Sequence, residues 1–134
     1  MMKMNLGAIT QAMMEDPWFD VQEPLEINEG DCFRWAYVAY LIYGGTLVSF
    51  ENKWLAHAFI KIDGKYYDSE SPDGVNDWRE LMFFKEHPTR IRVTLPIEME
   101  ERKFADFWHF KPEIELPNVL KRTKEIINDT SLSR

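Results

Sequence analysis

The chain has 134 residues, of which 45% are hydrophobic, 14% aromatic and 29% charged. This is the length of one ordinary domain, and the composition is that of a folded globular protein, which excludes disordered and collagen-like classes. The 16 basic and 23 acidic side chains give a net charge of -7. Such a charge argues against non-specific binding to nucleic acid or to anionic membranes, because both require a basic surface.

The N-terminal part of the sequence predicts a short helix and then an irregular segment. Apolar residues recur at helical spacing over residues 5–16, and Pro17 ends this pattern. Residues 17–31 contain Pro24 and Gly30 and are predicted to be irregular. We see neither a secretory segment nor a membrane-spanning one, so we expect a cytoplasmic protein without a membrane partner.

The next segment predicts a buried central helix. Asp31 is a candidate N-cap and Gly44 a candidate C-terminal stop, and Arg34 is the only charged residue between them. A helix that is apolar on all sides is expected to be covered by the rest of the protein.

Several strands are expected to follow. Residues 46–50 and 56–62 have strand character, and Asp63-Gly64 is a typical hairpin turn from which residues 65–70 return. The Ser-Pro-Asp-Gly sequence at residues 71–74 is predicted to be a turn.

The C-terminal third is predicted to be mixed. We expect a short helix over residues 75–86, a strand over 90–95, a strand over 103–110 and an amphipathic helix over 118–128. The sequence shows no linker and no repeat. It therefore predicts a single α+β domain over residues 1–134.

The predicted hairpin brings a histidine and two carboxylates together. With a two-residue turn, paired residues have numbers that sum to 127, so His57 faces Glu70 directly and Asp68 diagonally. Residues of one face alternate along a strand, which places these three side chains on the same face. A carboxylate beside an imidazole fixes its tautomer and stabilises its charged form.

Cys32 is the only cysteine, which excludes an intrachain disulfide and a cysteine-rich zinc module. It follows the predicted N-cap of the central helix, where the helix dipole and free N–H groups favour a thiolate and can stabilise an oxyanion. A cysteine there, beside a strand that carries histidine and an acid, has the pattern of nucleophile, base and orienter.

These motifs resemble the papain-like superfamily, and most closely its compact transglutaminase-like branch with small stand-alone relatives. The similar pieces are Gly30-Asp31-Cys32 at the start of an apolar helix, then His57-Ala58-Phe59, then residues 63–68, Asp-Gly-Lys-Tyr-Tyr-Asp. The resemblance covers roughly residues 29–78. It implies a papain-like core in which the helix that carries the cysteine packs on a small antiparallel sheet.

The resemblance also implies roles for individual residues. Cys32 would be the nucleophile, His57 the general base and acid, and Asp68 the orienter, acting without a cofactor on an amide, ester or thioester. The substrate would be a peptide, a small amide or ester, or a protein. Papain's oxyanion glutamine, six residues before its cysteine, has no counterpart among residues 25–28, so Gln22 and Asn28 are the candidate oxyanion donors.

Other interpretations of these residues stay open. Trp54 is a candidate wall of the substrate site, and Glu70 is the alternative to Asp68 as the carboxylate that orients His57. The same cysteine, histidine and aspartate could instead bind zinc, although no closely spaced ligand pair supports this. The alternative function is an inactive domain of the same fold that binds a protein partner. The sequence does not indicate the oligomeric state.

Overall fold

The computed structural model describes residues 4–91 and 93–132. Its helices are α1 (Gly7–Glu15), α2 (Pro24–Gly30), α3 (Cys32–Tyr43), α4 (Met82–Lys85), α5 (Glu101–Trp108), α6 (Pro112–Glu115) and α7 (Pro117–Leu132), with a turn of 3₁₀ helix at Trp78–Glu80. Its strands are β1 (Thr46–Glu51), β2 (Ala56–Ile62), β3 (Lys65–Asp68), β4 (Ser71–Val75) and β5 (Ile97–Met99). The fold is therefore α+β.

The five strands form one antiparallel sheet in the order β4-β3-β2-β1-β5. The β2–β3 hairpin pairs Ile62 with Lys65 and Ile60 with Tyr67. These pairs have the predicted register, because each pair of numbers sums to 127. The predicted alternation of faces along β2 therefore holds.

Each face of the sheet is covered by a hydrophobic cluster. On one face, Ala58, Ile60 and Ile62 of β2 belong to the main core with α3. On the other face, a second cluster comprises Val48, Phe50, Phe59, Trp78, Leu81, Phe84 and Ile91. The predicted central helix is confirmed, since Trp35, Ala36, Val38 and Ala39 are at most 1% exposed. Helix α7 packs on α1, and both were also expected from the sequence.

The prediction that residues 17–31 are irregular is wrong for its second half, which forms α2. Pro24 lies in the first turn of this helix, where its missing N–H removes no hydrogen bond, and Gly30 is its last residue. Ile27 and Asn28 are the buried residues of the helix. Proline and glycine, which predicted irregular structure here, instead mark the first turn and the last residue of a helix.

The turn predicted at residues 71–74 is a strand, β4. The chain reverses earlier, at Ser69 and Glu70, so that Asp68 pairs with Ser71. Strand β4 lies at the edge of the sheet, where a proline is tolerated. This early reversal also changes the environment of Glu70.

The C-terminal predictions were only partly correct. Residues 75–86 were expected to form one helix, but Leu81, with extended backbone, separates the 3₁₀ turn from α4. The described residues of the strand predicted over 90–95 lie in turns and irregular structure, with residue 92 outside the description. Of the alternating residues there, Ile91 is buried, whereas Val93 and Leu95 are 93% and 68% exposed. The alternation therefore does not mark a buried face.

The strand predicted over residues 103–110 is wrong, because α5 covers most of this range. The Glu100 side chain accepts hydrogen bonds from the N–H groups of Arg102 and Lys103 and caps the helix. Phe104 is fully buried four residues before Trp108, the spacing of one helix face. The aromatic content suggested a strand, but the cap and the spacing favour a helix.

Gly45, just before β1, offers a test of the sheet packing. Its φ is +95°, and an added Cβ would lie 2.5 Å from the Lys61 carbonyl oxygen. We expect Gly45→Ala to lower the free energy of unfolding by about 3 kcal/mol, because strain and steric overlap add. The matched control is Gly64→Ala, with φ +80° and nothing within 4 Å of the new Cβ, for which about 1 kcal/mol is expected. Equal losses in denaturant unfolding would contradict this account.

Candidate active site

The structure brings Cys32, His57 and Asp68 together. Cys32 is the first residue of α3, His57 is near the start of β2, and Asp68 is the last residue of β3. Their exposed fractions are 5%, 0% and 1%. Buried polar groups require partners, so the contacts of each group indicate its role.

Asp68 is the carboxylate that contacts the histidine. Its Oδ2 lies 2.9 Å from His57 Nε2, and its Oδ1 accepts a hydrogen bond of 3.0 Å from the Glu70 N–H. Its Oδ2 also accepts a hydrogen bond of 3.3 Å from Asn28 Nδ2. The carboxylate is therefore held on three sides, and it fixes the imidazole with Nε2 directed at β3.

The other imidazole nitrogen, Nδ1, is buried and forms no hydrogen bond with any group in the part of the chain that is described. Burial alone disfavours the charged imidazole. The hydrogen bond to Asp68 and the interactions with Cys32 and the Asp68 charge outweigh it and raise the pKa of His57 to about 9. The imidazole is thus poised between a carboxylate and a sulfur atom.

The Cys32 sulfur accepts a backbone hydrogen bond of 3.4 Å from the N–H of Ala58. Ile62 and Lys65 flank the two-residue turn as a hydrogen-bonded pair, so the backbone groups of Ile60 and Ala58 also point toward β3. The β2 residues that pair with β3 are Ile60, Lys61 and Ile62. Ala58 has no partner on β3 in this pairing, so its N–H can donate to the sulfur.

Cys32 is the first residue of α3, at the positive end of the helix dipole. Asp31 lies at the N-cap position, as predicted, but its side chain does not cap the helix. It instead forms a 2.7 Å ion pair with Arg34, which also binds Glu115 at 2.8 Å. The N-terminus of α3 therefore keeps its positive dipole uncapped by Asp31, which favours negative charge at Cys32.

An aromatic side chain that sequence reasoning missed lies on the histidine. The Phe83 ring stacks on His57 with centroids 4.1 Å apart and an angle of 10° between the planes. Phe84, the next residue, contacts the same imidazole edge-on at 5.5 Å and is fully buried in the second cluster. The available signal was the pair of adjacent phenylalanines on α4. Successive helical residues point about 100° apart, so Phe84 lies in the second cluster while Phe83 packs against it, partly buried.

Glu70 and Asn28 form a polar network behind Asp68. The expected direct pairing of His57 with Glu70 is wrong, because the chain reverses after Asp68 and Glu70 lies in that reversal. Glu70 Oε1 instead accepts a 2.8 Å hydrogen bond from Asn28 Nδ2, and Asn28 Oδ1 accepts one of 2.9 Å from Ser69 Oγ. The Asn28 amide is therefore engaged with the two carboxylates and is not arranged as an oxyanion donor.

Gln22, the other candidate oxyanion donor, and Trp54, the candidate wall of the substrate site, both lie at the surface. Gln22 is exposed, and its N–H donates to Glu26 Oε1. Trp54 is 54% exposed in the loop between β1 and β2, with Lys53 Nζ 4.7 Å from its ring centroid. Within the described residues, neither has a hydrogen bond or ring contact with the three catalytic candidates.

The described residues, 4–91 and 93–132, contain no cluster of three or more His, Cys, Asp or Glu side chains arranged to hold a metal ion. No helix in this part of the chain is both long and apolar enough to cross a membrane.

None of the family models, curated proteins or solved structures compared with the chain matches it significantly.

Proposed function

We propose that this protein is a papain-like thiol enzyme that cleaves or transfers an acyl group through Cys32, His57 and Asp68. The observation that carries the proposal is the buried imidazole of His57. Its Nε2 is bound to Asp68 at 2.9 Å, its Nδ1 is buried without a hydrogen-bond partner among the described residues, and the charge of Cys32 acts on the imidazole. A nucleophile, a base and an orienter in this arrangement are what acyl transfer through a thioester requires.

The charges of the site support an imidazolium at neutral pH, with groups that stabilise negative charge on the neighbouring sulfur. The pKa of His57 is raised to about 9, so the imidazole keeps its proton through the neutral range. The sulfur has the Ala58 N–H as a hydrogen-bond donor and the start of α3 as a positive dipole. Both interactions stabilise a negative sulfur.

The proposed reaction has two halves. The Cys32 thiolate attacks the carbonyl carbon, a C–S bond forms, and the negative charge moves to the carbonyl oxygen. The tetrahedral intermediate then breaks its bond to the leaving amine, alcohol or thiol, which takes the proton from His57 Nδ1. Water or an amine next attacks the thioester, gives a proton to His57, and releases the acyl product and the thiolate.

The chain supplies the surroundings that this reaction needs. The backbone N–H groups at the start of α3 are the candidate donors for the carbonyl oxyanion. Phe83 covers one side of the imidazole and reduces the access of water to the His57–Asp68 hydrogen bond. In a drier site each charge interaction is stronger.

The alternative function is an inactive papain-like domain that binds a protein partner. The observation that favours it is burial, because Cys32 is only 5% exposed and the imidazole is not exposed at all. A partner-binding domain could keep the buried residues as part of its core. Chemical reactivity of the sulfur distinguishes the two functions.

The test compares alkylation of Cys32 by anionic iodoacetate and neutral iodoacetamide between pH 5 and 10. An imidazolium attracts the anionic reagent, so the ratio of the iodoacetate rate to the iodoacetamide rate reports the charge of His57. Since the pKa of His57 is raised, its proton is lost only as the pH rises through about 9. We expect the ratio to be high in neutral solution and to fall around that pH.

Two histidine variants make this measurement specific. His57→Gln keeps an amide that can donate to Asp68 but does not titrate, and it should abolish the fall of the ratio. The matched control is His109→Asn, at an exposed left-handed position with φ 56° that asparagine tolerates. It should behave like the wild type. A sulfur that neither reagent modifies in the folded wild type, or an unchanged ratio in His57→Gln, would overturn the proposal.

A further inference from the structure

The Asn28 side chain connects the parts of the candidate active site. It is 2% exposed, and its Nδ2 donates to both Asp68 and Glu70. Its Oδ1 faces the Ser69 hydroxyl, whose single proton is shared between this oxygen and the Pro24 carbonyl oxygen at 2.7 Å. The reverse orientation of the amide would set its oxygen against two carboxylates, so this orientation is the favourable one.

The position of Asn28 in the chain links it to the nucleophile as well. It lies on α2, four residues before Cys32, and the N–H of Asp31 bonds the Ile27 carbonyl oxygen at 2.8 Å. Helix α2 therefore leads directly into α3. The hydrogen bonds of Asn28 and Ser69 tie this helix to the reversal that follows Asp68.

Two neighbouring carboxylates would repel each other without a donor between them. Burial raises the pKa of Glu70, and so do the charges of Asp68 and Glu86, whereas the hydrogen bond from Asn28 and the charge of His57 lower it. The Asn28 Nδ2 carries two protons, so it can serve both carboxylates at once. The amide separates two charges that would otherwise compete for His57.

We propose that Asn28 is a positioning residue whose amide holds the Asp68 carboxylate on His57. This inference rests on the proposed function and reassigns a residue first considered as an oxyanion donor. Without the amide, Asp68 would keep, among the described residues, only the Glu70 N–H as a donor besides His57. Its carboxylate could then turn, which weakens the hydrogen bond that keeps the imidazole charged and oriented.

The test uses Asn28→Leu, which has a similar size but lacks the donor, and Asn76→Leu as the matched control at an exposed position. The titratable groups that act on His57 are Cys32 and Asp68, with Glu70 beside them. In Asn28→Leu the fall of the iodoacetate-to-iodoacetamide ratio should move from about pH 9 toward lower pH. Acylation of Cys32 by p-nitrophenyl acetate should slow about tenfold, as expected for a lost hydrogen bond to a charged group.

The outcomes separate this inference from the proposed function. An unchanged transition and rate in folded Asn28→Leu, with a His57-dependent transition in the wild type, would overturn the role of Asn28 alone. A wild type without that transition would overturn the proposed function itself. If Asn28→Leu does not fold, Asn28→Asp at pH 8 replaces the donor with an acceptor of the same shape. Wild-type acylation by that variant would equally refute the role.

Discussion

Cys32→Ala is expected to abolish formation of an acyl-enzyme, because Cys32 is the only cysteine in the chain. Intact-mass spectrometry after incubation with p-nitrophenyl acetate measures this directly. The wild type should gain one acetyl group that hydroxylamine removes, as it does from a thioester. A hydroxylamine-sensitive adduct of equal amount on Cys32→Ala would show that another group reacts.

The stability of this variant is expected to change as well. The Ala58 N–H donates to the sulfur in a buried place, so alanine leaves a donor unsatisfied, at a cost of about 1–3 kcal/mol. Cys32→Ser is the matched control, because its hydroxyl can still accept that hydrogen bond. Both variants should fail to form the thioester, while denaturant unfolding should show Cys32→Ser to be the more stable of the two.

Asp68→Asn is expected to have the second largest effect on acylation. Asp68 accepts hydrogen bonds from His57, Asn28 and the Glu70 N–H, and an amide at this position has one acceptor oxygen and an N–H₂ group that would face other donors. We expect the rate to fall by a factor on the order of 10²–10⁴. The pH at which His57 loses its proton should also fall below about 9, since the Asp68 interaction raises it.

Glu70→Gln is the comparison for Asp68→Asn. Glutamine can still accept the hydrogen bond that Asn28 donates, at 2.8 Å in the structure, and it leaves the His57–Asp68 contact in place. Its loss of rate should therefore be much smaller. If Glu70→Gln stopped acylation while Asp68→Asn did not, the orienter would be Glu70 and the assignment of Asp68 would be wrong.

The sequence predicted those parts of the site that depend on local rules. A two-residue turn at Asp63-Gly64 sets the register of β2 with β3, and this register places His57 and Asp68 on one face. The position of Cys32 followed from the start of an apolar helix. Each of these inferences needs only neighbouring residues and the period of a strand or helix.

The rest of the site depends on contacts between residues far apart in the chain. Nothing local indicates that Asn28 contacts Asp68, 40 residues later, or that Phe83 stacks on His57. The pairing of His57 with Glu70 failed because extrapolation of the register assumed that β3 continues, whereas the chain reverses at Ser69 and Glu70. The Ser-Pro-Asp-Gly sequence at residues 71–74 suggested a turn at that point, whereas the chain turns two residues earlier and ends β3 at Asp68.

The hydrogen bond from Ala58 to the sulfur implies a trade-off between the sheet and the reactivity of the nucleophile. A β3 strand that stayed paired with β2 at this level would take up the Ala58 N–H and make the hairpin more regular. It would also remove a donor from Cys32 that no side-chain substitution can supply. Redesigns that lengthen the β2–β3 ladder should therefore yield a more stable but less reactive protein.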